Sequence, residues 1–157
     1  VMRLHGNRNP QMDFGHETIG SGSPNEIWSF GDEIFEISKK YIAMREKLRP
    51  YVREQMKKAH EKGTPVMRPY FYDYPQDIRA WEIDDAYCFG SDFLAAPVLE
   101  AGARERQVYL PGTEVWKNIW TSECFNGGQT VKVAAPLEQI PVFVKASSMY
   151  ADLFDEA

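Results

Sequence analysis

His5 stands between Leu4 and Gly6, and its placement offers the first candidate chemistry in this chain. A strand ending in Arg3-Leu4-His5 would present the imidazole at its tip, and Gly6 would let the backbone turn away at once. An imidazole held there can donate or accept hydrogen bonds from a polar ligand. The same residue would sit equally well as a half-buried loop histidine. Asp13, His16 and Glu17 follow in the same loop and could serve a metal, but their spacing matches no ligand motif. No metal or other cofactor is therefore expected.

Paired carboxylates are the next chemistry to seek, because glycoside hydrolysis needs two of them across one bond. Asp84-Asp85 and Asp32-Glu33 are the adjacent acidic pairs. Sequence neighbours on a helix point about 100° apart and do not face each other. Asp32-Glu33 also lies where a helix N-terminus favours acids. Both pairs read as structural. There is no Gly-x-Ser-x-Gly, no phosphate-cradling glycine loop and no metalloprotease helix, so the residues alone assign no catalytic group. Trp28, Trp81, Trp116 and Trp120 are candidate platforms for the apolar faces of sugars. Trp116 and Trp120 fall among predicted strands and read as core. Trp28 closes a glycine-rich loop, where it either meets a ligand or staples the loop to the next helix.

The elements that would position these groups follow from periodicity. Residues 6–31 carry Gly6, Gly15, Gly20, Gly22 and Gly31, which predicts a long loop. From Asp32 to Lys62 an apolar stripe runs through Ile34, Ile37, Tyr41, Met44, Leu48, Val52, Met56 and Ala59, the spacing of a helix. Ser29 with Asp32 resembles a capping box, Gly63 and Pro65 stop the helix, and Pro50 predicts a break near Lys47 to Arg49. Val66 to Phe71 reads as a buried strand, and a helix is expected around Arg79 to Ala86. After Gly90 the texture changes to short β-prone runs: Phe93 to Leu99, Arg106 to Leu110, Val115 to Trp120, Gln129 to Ala134 and Ile140 to Lys145. A lone buried strand at Val66 to Phe71 cannot satisfy its backbone groups without neighbours. The part before Gly90 therefore reads as a piece of something larger, expected to self-associate when isolated.

Composition narrows the class. The 157 residues are 43% hydrophobic and 13% aromatic, enough for a packed core. A net charge of −5 and a pI near 5.2 argue against nucleic-acid binding. Lys39 to Lys58 is basic, but Glu46 and Glu54 interleave with it and Glu33, Glu36 and Glu61 flank it, as on a solvated helix face. No apolar run approaches membrane-spanning length. Cys88 and Cys124 form no metal motif and read as two buried free thiols, with a disulfide left open.

The motifs, taken in order, resemble glycoside hydrolase family 31, the retaining α-glucosidases and α-xylosidases. They are Arg3-Leu4-His5-Gly6, Trp28-Ser29-Phe30-Gly31-Asp32-Glu33, Leu48-Arg49-Pro50-Tyr51 and Gly63-Thr64-Pro65-Val66-Met67-Arg68-Pro69. Ile83-Asp84-Asp85, Phe89-Gly90, Leu94-Ala95-Ala96-Pro97-Val98-Leu99, Val108-Tyr109-Leu110-Pro111, Trp116 with Trp120, Gly127-Gly128-Gln129 and Pro141-Val142-Phe143-Val144 complete the series. Ser147-Ser148 departs from the pattern, where relatives often carry glycine.

The resemblance implies an α+β fragment: the last β/α units of a TIM barrel followed by a small antiparallel β-sandwich. Residues 1–90 would supply the end of strand seven, a long loop, a helix, strand eight and a further helix, and residues 91–157 the proximal C-terminal sandwich. It implies that His5 contacts the non-reducing sugar, with Arg3 and Trp28 as lesser substrate contacts. The two catalytic aspartates of the family would lie on earlier strands, leaving this chain inactive alone. The implied partners are an α-linked oligosaccharide or glycoside and the remainder of the barrel, with neither nucleic acid nor membrane, and a homo-oligomer as one way to cover the exposed strand. A non-catalytic carbohydrate-binding or structural module is the alternative. The residues fix no compartment: the cytoplasm is the first choice, and a secreted or periplasmic location would follow from an upstream signal.

Overall fold

The computed structural model describes residues 26–155. The chain divides into two compact units, Val1–Lys47 and Leu48–Ala157. In the first, a 3-10 turn at Ile27–Phe30 leads through Gly31, at φ 89°, into helix α1, Asp32–Lys47. Asp32 and Glu33 occupy its first turn and Arg45 and Lys47 its last, each sign favoured by the helix dipole there. The expected capping role of Ser29 is not met. Ser29 lies inside the 3-10 turn and its Oγ donates to Glu26 at 3.3 Å, because Gly31 separates the turn from the helix.

The second unit opens with α2, Arg49–Lys62. Pro50 sits in its first turn, where a missing N–H leaves no bond unmade, so the expected break falls at Leu48. Gly63 ends the helix in the left-handed region at φ 68°, donating its N–H to the Ala59 carbonyl.

Beyond it, β1 (Met67–Arg68), β2 (Tyr87–Phe89), β3 (Phe93–Ala95), β5 (Val115–Asn118), β6 (Cys124–Asn126) and β8 (Val142–Lys145) form a six-stranded sheet in the order β1-β2-β3-β8-β5-β6. A second layer pairs β4 (Glu105–Leu110) with β7 (Gln129–Ala134). Every pairing among the described residues is antiparallel. The two layers meet in a core of Leu94, Val108, Leu110, Trp116, Val131, Val133 and Phe143. In β7, Val131 and Val133 face inward while Thr130 and Lys132 face water, the period-two signature of a half-buried strand.

Three expectations are corrected. The run Val66 to Phe71 is a strand only at Met67–Arg68, an edge strand paired antiparallel to β2, with Met67 61% and Arg68 7% exposed. Pro69 cannot donate to a ladder, and the chain turns there into a short helix, α3, Tyr70–Asp73. The helix expected around Arg79 to Ala86 is a 3-10 turn at Ile78–Trp81, whose start is held by the Asp77 carboxylate accepting from the Arg79 amide. The next residues are drawn into β2, which hairpins onto β3 across Gly90 at φ 63°. A Cβ at Gly90 would collide with Tyr51 Oη and the Gln55 side chain, so no other residue fits that turn unchanged. Both cysteines are free, but only Cys88 is buried; Cys124 is exposed on β6, a short strand at the edge of the sheet.

Candidate functional site

Arg3, His5, Asp13, His16 and Glu17 lie outside the described residues. Trp28 is described: it rides the 3-10 turn before α1 and is 68% exposed. The other indoles separate by burial. Trp116 is 1% exposed and donates its Nε1–H to the Pro111 carbonyl at 3.0 Å, so it is core. Trp120 is half-buried and donates to the Ile140 carbonyl. Trp81 is 57% exposed and stacks on Phe71 at 4.6 Å, with its Nε1–H fixed on the Pro75 carbonyl.

An open groove of about 340 Å³ lies in the second unit, with Met67, Ile83 and Leu99 among its apolar walls and Asp84 and Asp85 among its acids. Asp85 forms an ion pair with Arg106 at 2.7 Å, and Arg106 also donates to the carbonyls of Asp85 and Pro97. Near it, Arg68 binds Asp73 at 2.9 Å and the Pro65 carbonyl. Sequence reasoning missed the Arg68–Asp73 pair. The available signal was an arginine inside an apolar run, since a buried charge needs a partner.

Two further acids in this unit, Asp77 and Glu114, are engaged too. Asp77 accepts from Tyr109 Oη at 2.5 Å. Glu114 accepts from Tyr74 Oη and pairs with Lys145 at 3.2 Å. Burial opposes ionisation of Glu114, but bonds from its own backbone, Lys145 and Tyr74 outweigh it and hold the carboxyl below its ordinary value. These acids are locked in structural hydrogen bonds, and Glu114 in an ion pair as well. The Cys88 thiol is pushed up to about 12, chiefly by burial, so it is no nucleophile at neutral pH. Among the described residues no cluster of three or more His, Cys, Asp or Glu side chains could hold a metal. No helix among them is long and apolar enough to cross a membrane.

Residues 63–149 match the family model of the glycosyl hydrolase family 31 C-terminal domain. The chain belongs to glycoside hydrolase family 31. It is 37% identical over 126 residues to alpha-glucosidase 2 of Bacillus thermoamyloliquefaciens, covering 80% of this chain and 16% of that protein. With the alpha-xylosidase of Saccharolobus solfataricus the figure is 35% over 130 residues, or 83% of this chain and 18% of the relative. A family 31 alpha-xylosidase from a soil metagenome, solved with xylose, superposes with a TM-score of 0.83 at 48% identity, over 85% of this chain and 20% of that one. A Flavobacterium johnsoniae dextranase of the family, solved with isomaltotriose, gives 0.78 at 38%, over 81% of this chain and 16% of that one. The chain thus spans about a fifth or less of each of these family members. Its small antiparallel β-sheet domain is the family's C-terminal domain.

Proposed function

We propose that this chain is the C-terminal portion of a retaining α-glycosidase that hydrolyses terminal α-linked glucosyl or xylosyl residues. The observation that carries the reading is the match of residues 63–149 to the family 31 C-terminal domain. In it, residues 1–90 supply the C-terminal part of the catalytic barrel, with β1 and β2 also carrying the edge of the sandwich sheet, and residues 91–157 form the rest of the proximal sandwich. His5 hydrogen-bonds hydroxyls of the non-reducing sugar, and Arg3 and Trp28 make lesser contacts. The partners are an α-linked oligosaccharide or glycoside and the remainder of the barrel. The engagement of Asp73, Asp77, Asp85 and Glu114 in structural pairs supports placing the reactive carboxylates elsewhere.

The chemistry would be double displacement. One carboxylate attacks the anomeric carbon while a carboxylic acid protonates the departing oxygen. Water then cleaves the glycosyl-enzyme with the configuration retained. This chain's share would be to grip hydroxyls and wall the pocket, keeping the sugar in register for attack.

The test grafts residues 1–157 in place of the matching segment of the soil-metagenome alpha-xylosidase. The chimera should turn over an aryl α-xyloside, and His5→Ala should lower its kcat/KM by about 10- to 100-fold, the worth of one or two hydroxyl contacts. A folded chimera indifferent to His5→Ala would remove the substrate contact. Turnover of an aryl α-glycoside by the 157-residue chain alone would overturn the division of labour.

A further inference from the structure

The segment after β8 does more than end the sheet. It bends back through residues 147–155, and the match to the family domain ends at Met149, before most of this segment. Ser148 Oγ donates to Asp92 Oδ2 at 3.1 Å. The Tyr150 ring meets Tyr51 edge-on at 4.9 Å, and its hydroxyl donates to Glu54 Oε2 at 2.9 Å. Phe154 is buried against Phe93, centroids 6.3 Å apart. Asp152 and Asp155 both accept from Lys117 Nζ at 2.8 Å. The segment therefore touches three elements at once: α2 through Tyr51 and Glu54, the start of β3 through Asp92 and Phe93, and β5 through Lys117.

The receiving surface is built to take such a segment. The Lys117 side chain is only 10% exposed, and its ammonium would be poorly solvated with no carboxylate beside it. Tyr51 is fully buried, donates to the Phe89 carbonyl at 2.7 Å and accepts from the Asp92 amide at 3.1 Å. Its ring makes edge contacts with both Phe93 and Tyr150. Aromatic anchors at 150 and 154 alternate with acids at 152 and 155, matching a surface that offers two aromatic faces and one sunken cation.

We propose that Tyr51, Glu54, Asp92, Phe93 and Lys117 form a docking groove for an acidic-aromatic segment, and that Tyr150–Asp155 occupies it as a clasp holding α2 on the sheet. Lys117 selects the carboxylates, and the two rings set the register. Opening the clasp loosens α2 and the part of the sheet it grips before it loosens the β4–β7 layer, because β4 and β7 make none of these contacts.

Hydrogen exchange on the full chain tests this. Asp152→Asn with Asp155→Asn strands the Lys117 charge and should raise exchange in the first turns of α2 at least 10-fold, leaving the β4–β7 pair unchanged. Tyr150→Phe keeps the ring and removes one bond, so it should raise α2 exchange about 2- to 5-fold should the double variant fail to fold. Adding Lys117→Met to the double variant should restore most of the lost protection by removing the stranded cation. Unchanged α2 exchange in these variants would overturn the proposal, as would equal loosening of α2 and the β4–β7 pair.

Discussion

Residues 48–86 and residues 91–145 belong to one compact unit yet differ in how they satisfy buried polar side chains and cover aromatic rings. In the later region the buried polar groups are answered: Lys117 by Asp152 and Asp155, Asn118 Oδ1 by the Trp120 amide, and Trp116 by the Pro111 carbonyl. In the earlier region both amide atoms of Gln55, Thr64 Oγ1 and Tyr70 Oη are buried without a hydrogen-bond partner. The same stretch exposes Met67, Phe71, Tyr72, Ile78 and Trp81. Orphaned donors beside uncovered aromatics are what a surface looks like when it is shaped for a neighbour, whereas a self-sufficient sandwich buries its rings and pairs its dipoles. The difference is that of a surface shaped to be covered, and it can be attacked experimentally.

The largest effect should come from comparing the two indoles. Trp116→Ala deletes a fully buried ring and its bond to Pro111, and should cost about 3–5 kcal/mol in urea denaturation. Trp81→Ala removes a ring that is more than half in water and should cost about 1 kcal/mol, mainly the stack on Phe71. Equal losses would erase the distinction, since Trp81 would then be as integral to the chain as Trp116.

Gln55 sharpens the contrast from the other side. It is 1% exposed and packed beside Gly90, with neither amide atom bonded. A buried polar group without a partner costs about 1–3 kcal/mol, so Gln55→Leu should stabilise the chain by about 1 kcal/mol. The measurement is the urea midpoint at constant slope. A loss of similar size would show that the amide is satisfied, as by a buried water, and that the earlier region is less incomplete than its geometry implies.

What sequence revealed divides along the same line. The alternation in Gln129 to Ala134 and the proline at position 50 were readable because each element is dictated by its own residues. The strand Tyr87–Phe89 was not: three residues following Asp84-Asp85-Ala86 become a strand only by pairing with Phe93–Ala95 across a glycine that must take positive φ. Likewise Val66 to Phe71 reads as a strand by composition, and Pro69 ends it after two paired residues. Of the proposed substrate contacts, Trp28 could be placed on its turn, while Arg3 and His5 rest on resemblance to the family, because a histidine before a glycine carries no spacing that names a sugar.

The smallest effect is electrostatic and concerns the seam between the two regions. The Glu54 carboxyl is held below its ordinary 4.5 first by its bond from Lys58 and then by that from Tyr150. Asp152 is held below its ordinary 3.8 first by its bond from Lys117. A depressed carboxyl stabilises the fold fully above its unfolded value and ceases to do so as falling pH protonates it. Lys117, raised by Asp152 and Asp155, keeps its contribution until the solution is strongly alkaline. Stability should therefore be flat from about pH 6 to pH 9 and decline below about pH 4.5. Both carboxyls lie at the surface, so solvent screening keeps the Glu54 share under about 1 kcal/mol. Thermal melts of Glu54→Gln and Asp152→Asn should show a shallower acid decline than the parent. If each variant retains the parent slope, the acid sensitivity resides in Glu114 and its bonds to Lys145 and Tyr74, inside the sandwich wall rather than at the seam.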